Sequence, residues 1–238
     1  MSTDERATAR ARIIRVAQEL GTLRERVVFI GGTVLPLLVE VERFFESPRP
    51  TKDVDAVAGT ARYTQMADIE QQLRRAGFRS LRGPHLGRYT SPSGETFDLS
   101  FAGAHSGGTG SDVDAAGIAT AVRDDGPPDF RHLSPAGLFL MKAAAFWDRG
   151  AERPHESKDL ADLAVLLVAC AQLVPEIEAT PPDVQALAVT AGVRLRGAAD
   201  LDGALRTHFT DRRAIPPETP DSLARSAATA LDRIVALG

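Results

Sequence analysis

The sequence predicts an α+β protein in two parts, a strand-and-helix half followed by an all-helical half. Three observations predict it. Strand-like runs such as "VVFI", "DVDAVAG" and "ETFDLSF" are confined to the first 133 residues. Helical patterning and Gly-rich or Pro-rich turns separate those runs. From Ser134 onward only Ala/Leu-rich helical runs remain, broken at prolines. The expected lobes are therefore 1–133, with a mixed sheet, and 134–238, a helical bundle. A cleft between such halves is the default place for a ligand.

The elements follow in order. Arg10 to Leu20 reads as an amphipathic helix, with Ile13, Ile14, Val16, Ala17 and Leu20 along one side. "VVFI" is a short apolar run typical of a buried strand. "GGT" follows, and "VLPLLVEVERFF" reads as a helix entered at Thr33, with Pro36 tolerated in its first turn. "DVDAVAG" is the second strand, and "ARYTQMADIEQQLRRAG" a helix capped by Gly77. "FRSL" reads as a strand, and "LGRYT", the turn "SPSG" and "ETFDLSF" as a hairpin. "AGAHSGGTGSDVDAAG" reads as an exposed loop and "DFRHL" as a returning strand. In the second half, Ser134-Pro135 opens a helix as N-cap and N1, and "HESKDLADLAVLLVACAQL" forms another.

The composition is that of an ordinary globular protein, 43% apolar and 25% charged over 238 residues. A net charge of −4 excludes a basic nucleic-acid coat, though not a local basic groove. The single cysteine, Cys170, excludes an internal disulfide and sits in an apolar helical run, as a buried inert thiol would. The N-terminus lacks the apolar core of a secretory signal. Leu160 to Val174 is short of the ~20 residues of a membrane span and carries Asp162. The expected setting is the cytoplasm, with no membrane contact.

The chemistry concentrates in "RPTKDVDAV". On a strand, residues i and i+2 share a face roughly 6–7 Å apart, so Asp53 and Asp55 point the same way with Val54 in the core. Like charges so placed repel. Upstream, Gly31 and Gly32 permit a sharp turn and close approach, and the following helix start, with the Thr33 hydroxyl, favours an anion. Downstream, Thr96, Asp98 and Ser100 share one face of "ETFDLSF". Three carboxylates on adjacent strands are reconciled by divalent cations, which take hard oxygen ligands shared with substrate phosphates. The plainer reading stays open: Asp53 capping a turn, and Asp55 solvated on an edge strand.

This order of strand, Gly-Gly-Thr, Arg-x-Thr-x-Asp-x-Asp and later strand Asp resembles the nucleotidyltransferase superfamily with the DNA polymerase β-like fold, with Thr33 where serine is common. "HLSPAGLFLMKAAAFWDRGAERPHESKDLADLAVLL" further resembles the AbiEii/MenT group of type IV toxins, at Lys142, Arg149, Lys158, Asp159 and Asp162, as do Arg49 and Thr51 ahead of the aspartates. The resemblance runs from about Val27 to Leu167. It implies a nucleotidyltransferase lobe, with Asp53, Asp55 and Asp98 as catalytic carboxylates and ligands of Mg²⁺ or Mn²⁺. It implies nucleotide contacts from Gly31, Gly32, Thr33, Arg49, Thr51, Lys142, Asp159 and Asp162. It also implies transfer of NMP from an NTP to an RNA 3′ end, foremost tRNA, and a cognate antitoxin. On their own residues, Lys142 could instead snorkel to solvent, Asp159 could serve the helix dipole, and Arg49 could pair on the surface. The C-terminal arginines could meet RNA phosphates or lie solvated. Rival readings are a nucleotidyltransferase acting on a small molecule such as an aminoglycoside, a non-catalytic nucleotide binder, and a metal-dependent nuclease. The last has no need of the glycine turn.

Overall fold

The computed structural model describes residues 5–39, 41–46, 51–59, 63–81, 87–102 and 110–238. They form two compact units. One comprises Arg6–Leu37 and Pro50–Ser134, and the other joins Leu38–Arg49 to Pro135–Gly238.

The first unit carries a seven-stranded mixed sheet, as an α+β fold requires. Its strands are β1 (Val27–Ile30), β2 (Asp53–Ala58), β3 (Arg79–Ser80), β4 (Arg88–Thr90), β5 (Thr96–Phe101), β6 (Val122–Asp124) and β7 (Phe130–His132). Their order across the sheet is β3-β4-β5-β2-β1-β7-β6. β2 runs parallel to β5 and antiparallel to β1, which lies parallel to β7. The helix α1 (Glu5–Leu20) buries Ile13, Val16, Ala17 and Leu20. A parallel pair needs a crossover, which helix α3 (Tyr63–Arg75) and the strands β3 and β4 provide. Gly77 ends α3 at φ +89°, and Phe78 then turns inward against Phe97, 5.5 Å between ring centroids.

Three expectations are corrected. The helix expected over "VLPLLVEVERFF" shrinks to α2 (Leu35–Leu38) and a 3₁₀ turn at Val41–Arg43. The chain leaves early because Phe45 is drawn to the helical unit, where it stacks on Phe209 at 5.8 Å. The expected loop after Phe101 contains a helix, α4 (Gly110–Ala119), with Asp112 favourably placed in its first turn. Residues 103–109 of that loop lie outside the described residues. β6 was not anticipated, being a short and mostly exposed edge strand without apolar alternation.

The second unit is built from α5 (Pro135–Arg149), α6 (Lys158–Ala169), α7 (Leu173–Ala179), α8 (Pro182–Arg196), α9 (Leu201–Asp211) and α10 (Pro220–Val235). Ser157 caps α6 by accepting from Leu160 N–H, and Thr219 caps α10 in a capping box. Cys170 is buried, and burial pushes its thiol pKa up, as expected of an inert thiol. Among the described residues no single helix is long and apolar enough to cross a membrane.

Candidate active site

The parallel pairing of β2 and β5 brings the three predicted carboxylates together. Asp55 stands opposite Asp98, and Asp53 opposite Thr96. Along β2 the aspartates alternate with the fully buried Val54, so both carboxylates leave the core on one face. Asp53, Asp55 and Asp98 are each half-buried, and each offers an oxygen within 4.8 Å of the others. That donor set, all hard oxygens at short mutual distance, fits a divalent cation of the Mg²⁺ class.

Gly31 closes the site at the end of β1. Its φ is +77°, and a Cβ built there would overlap the Asp55 carboxylate. The turn thus needs glycine both for its backbone and for the space Asp55 fills. Gly32 follows, half-buried. The helix dipole expected behind this turn is absent in any useful strength, because α2 has four residues and few aligned peptide dipoles. Thr33 also departs from expectation. It is 2% exposed, and its hydroxyl donates to the Asp53 carbonyl at 2.7 Å. With its proton so committed, Thr33 straps the turn to β2 rather than facing a phosphate.

Thr51 lies two residues before β2. Its carbonyl accepts from Arg12 Nη1 at 2.6 Å, and the Lys52 carbonyl accepts from Arg12 Nη2 at 3.1 Å. Arg12 Nε donates to Glu95 at 2.9 Å, one residue before β5. One guanidinium therefore fixes the starts of both strands that carry the triad. Arg49 lies outside the described residues.

Sequence reasoning missed Arg88. Its Nε donates to Asp98 Oδ1 at 2.8 Å and its Nη2 to Asp98 Oδ2 at 2.5 Å. Nη2 also reaches Asp53 Oδ2 at 3.3 Å. The fork offsets part of the charge that three neighbouring carboxylates accumulate. A signal existed: counting outward from the "SPSG" turn pairs Thr90 with Thr96, Tyr89 with Phe97 and Arg88 with Asp98, as observed.

The remaining predicted residues gather in the helical unit. Lys142 is 9% exposed, and its ammonium meets Asp159 at 3.0 Å and Asp162 at 2.8 Å. It does not snorkel. Burial works to lower its pKa, but the two carboxylates outweigh burial and raise it. Arg149 donates to both oxygens of Asp159, at 2.8 and 3.1 Å, and Arg212 lies 3.6 Å from Asp162. Burial would raise the Asp159 carboxyl, yet the Arg149 hydrogen bond and the Lys142 charge hold it below the ordinary range. Asp159 and Asp162, expected at the nucleotide, are thus engaged in holding Lys142. An ionised carboxylate has no donor for a phosphate oxygen. Of the C-terminal arginines, Arg212 is buried in this cluster, and Arg196 pairs with Asp232 at 2.9 Å.

The family model described as "Nucleotidyl transferase AbiEii toxin, Type IV TA system" matches residues 15–230. The chain belongs to the AbiEii family. This AbiEii match takes in both compact units, including the C-terminal helices in which no motif was legible. No curated protein matches the sequence. Among solved structures, the crystal structure of JHP933 from Helicobacter pylori is similar at 14% identity and a TM-score of 0.46, over 94% of this chain and 90% of that one.

Proposed function

We propose that this AbiEii-family chain is a divalent-metal-dependent nucleotidyltransferase that moves NMP from an NTP onto an RNA 3′ end, foremost that of tRNA. The observation that carries the reading is the convergence of Asp53, Asp55 and Asp98 within 4.8 Å beside a turn that only glycine can make. A cation of the Mg²⁺ class, when bound, neutralises phosphate charge and makes an acceptor hydroxyl easier to deprotonate. Asp53 and Asp55 hold that ion together with Asp98. Asp98, opposite Asp55, takes the acceptor's proton. The acceptor oxygen bonds to the α-phosphorus as the bond to pyrophosphate breaks. Gly31 and Gly32 offer backbone N–H groups to the phosphates at close approach. Lys142, fixed by Asp159 and Asp162, supplies a compact cation to the nucleotide, a role that rests on the family resemblance, as do those of Arg49 and Thr51. The bulk of the catalysis is positioning and charge neutralisation. The cellular outcome is blocked translation, relieved by a cognate antitoxin.

The test is a transfer assay with Mg²⁺, each α-labelled NTP in turn and total RNA, beside the Asp53→Ala/Asp55→Ala variant. Label in the tRNA band, lost in the variant, is the expected result and names the nucleotide. Label that enters no RNA but enters an aminoglycoside would replace the RNA acceptor with a small molecule. Transfer that survives in the variant would overturn the assignment of the triad.

A further inference from the structure

The proposed reaction leaves Arg88 without a role, yet no other cation among the described ion pairs touches Asp53 or Asp98. Its fork covers both oxygens of Asp98, and Nη2 stands between Asp98 and Asp53. A Mg²⁺ ion would need oxygens of those same carboxylates at about 2.0–2.1 Å. A dication inserted there meets the guanidinium charge at close range, where like charges repel strongly. Arg88 and a cation shared by these two carboxylates therefore compete.

We propose that Arg88 is a two-position residue. In the metal-free protein it holds Asp53 and Asp98, and on loading it yields them to the cation and takes the phosphates of the incoming nucleotide. This inference rests on reading the triad as the cation site. The guanidinium has the geometry for both positions, because its planar fork matches a carboxylate and a phosphate equally in bidentate fashion. Its side chain is 32% exposed, so solvent already reaches it. It projects from β4, beside the β5 strand that carries Asp98, so a change of rotamer shifts the head group without moving the sheet. Removed from Asp98, the charge needs another anion, and the triphosphate that accompanies the cation is one. Cation and nucleotide then bind with positive coupling, each strengthening the other by the same factor. The site stays closed to a cation that arrives alone.

The experiment is Mn²⁺ binding to the full chain, read from the free-ion electron paramagnetic resonance signal, with no acceptor present. It is run without nucleotide and with the four α,β-methylene NTPs in turn, for the wild type, Arg88→Met, Arg88→Lys and Asp53→Ala/Asp55→Ala. Arg88→Met is expected to bind Mn²⁺ alone about tenfold tighter than the wild type, and to bind the analogue at saturating Mn²⁺ about tenfold more weakly. Arg88→Lys keeps the charge and loses the fork, so it is expected to shift in the same two directions. If Arg88→Met tightens Mn²⁺ but leaves analogue affinity unchanged, Arg88 is a plain counter-ion and the proposal fails. It fails also if Arg88→Lys matches the wild type, or if Arg88→Met binds Mn²⁺ no tighter. Should Arg88→Met not fold, the wild type alone decides: its Mn²⁺ affinity must rise about tenfold with saturating analogue, and a flat response overturns the proposal. If the wild type binds no more Mn²⁺ than Asp53→Ala/Asp55→Ala under every condition, the cation site itself falls, an outcome distinct from all the others.

Discussion

At Gly31 two constraints coincide, a positive φ of +77° and the Asp55 carboxylate lying where a Cβ would go. Gly94 separates them, since its φ is +89° but nothing lies within 4 Å of a Cβ built there. Gly94→Ala should therefore show backbone strain alone, about 1 kcal/mol or somewhat more. Gly31→Ala should lose that amount and, in addition, displace Asp55 from Asp53 and Asp98. The check is a pair of urea titrations beside Mn²⁺ binding. Gly94→Ala is expected to retain wild-type Mn²⁺ affinity, and Gly31→Ala to lose at least tenfold. Equal Mn²⁺ affinities in the two variants would show that the glycine serves only the turn. Thr33 works at the same scale, its hydroxyl tying the turn to the Asp53 carbonyl.

Between elements, α5 is pinned to α6 by ion pairs among Lys142, Arg149, Asp159 and Asp162. Asp159 has its pKa depressed in the folded protein, so its contribution is present above the unfolded carboxylate value, about 3.9, and is lost as pH falls through the lower folded value. Asp159→Asn leaves Lys142 with one carboxylate and removes the negative charge that faces Arg149. At pH 7 it should destabilise by about 3–5 kcal/mol, the usual consequence of breaking a buried pair. Urea midpoints of wild type and variant should draw together as pH falls below the unfolded carboxylate value, about 3.9, and on through the lower folded value. A gap that stays constant from pH 7 down to about pH 3 would mean that packing rather than charge holds the joint. Sequence patterning made much of this scale legible. β1, β2 and β5 were visible because buried apolar runs and strict alternation leave a period that side chains alone reveal. α4 was hidden by its Gly, Ser and Asp content, which normally marks loops. Arg88 was hidden for a different reason: a cross-strand partner appears only when the hairpin is counted outward from its turn. The Lys142 joint was half visible, since a lone lysine in an apolar helix demands an anion, but its second carboxylate and Arg212 come from tertiary packing.

Across the whole molecule, the chain leaves the sheet unit after Leu37 and returns to it at Pro50, lending Leu38–Arg49 to the helical unit. Local patterning has no means of showing such an excursion, which is why "VLPLLVEVERFF" read as one helix. What draws the segment out is Phe45. Its ring is 1% exposed and stacks on Phe209 at 5.8 Å, with the planes 3° apart. The backbone on either side is sewn to the turn after α9, Glu46 N–H to the Arg213 carbonyl at 3.0 Å and Ile215 N–H to the Phe44 carbonyl at 2.9 Å. Arg212 lies over the Phe45 ring at 5.9 Å and touches Asp162, so the excursion ends against the cluster that holds Lys142. Phe45→Ala should therefore destabilise the chain by about 3–5 kcal/mol, as for a large aromatic removed from a closed core. Phe45→Leu should recover the larger part, since it restores most of the volume without the stacking. The measurement is urea denaturation followed by far-ultraviolet circular dichroism, which the helices dominate. A loss below about 1 kcal/mol for Phe45→Ala would show that the helices hold together without the borrowed segment, and that the excursion is a consequence of the chain's path rather than a support for it.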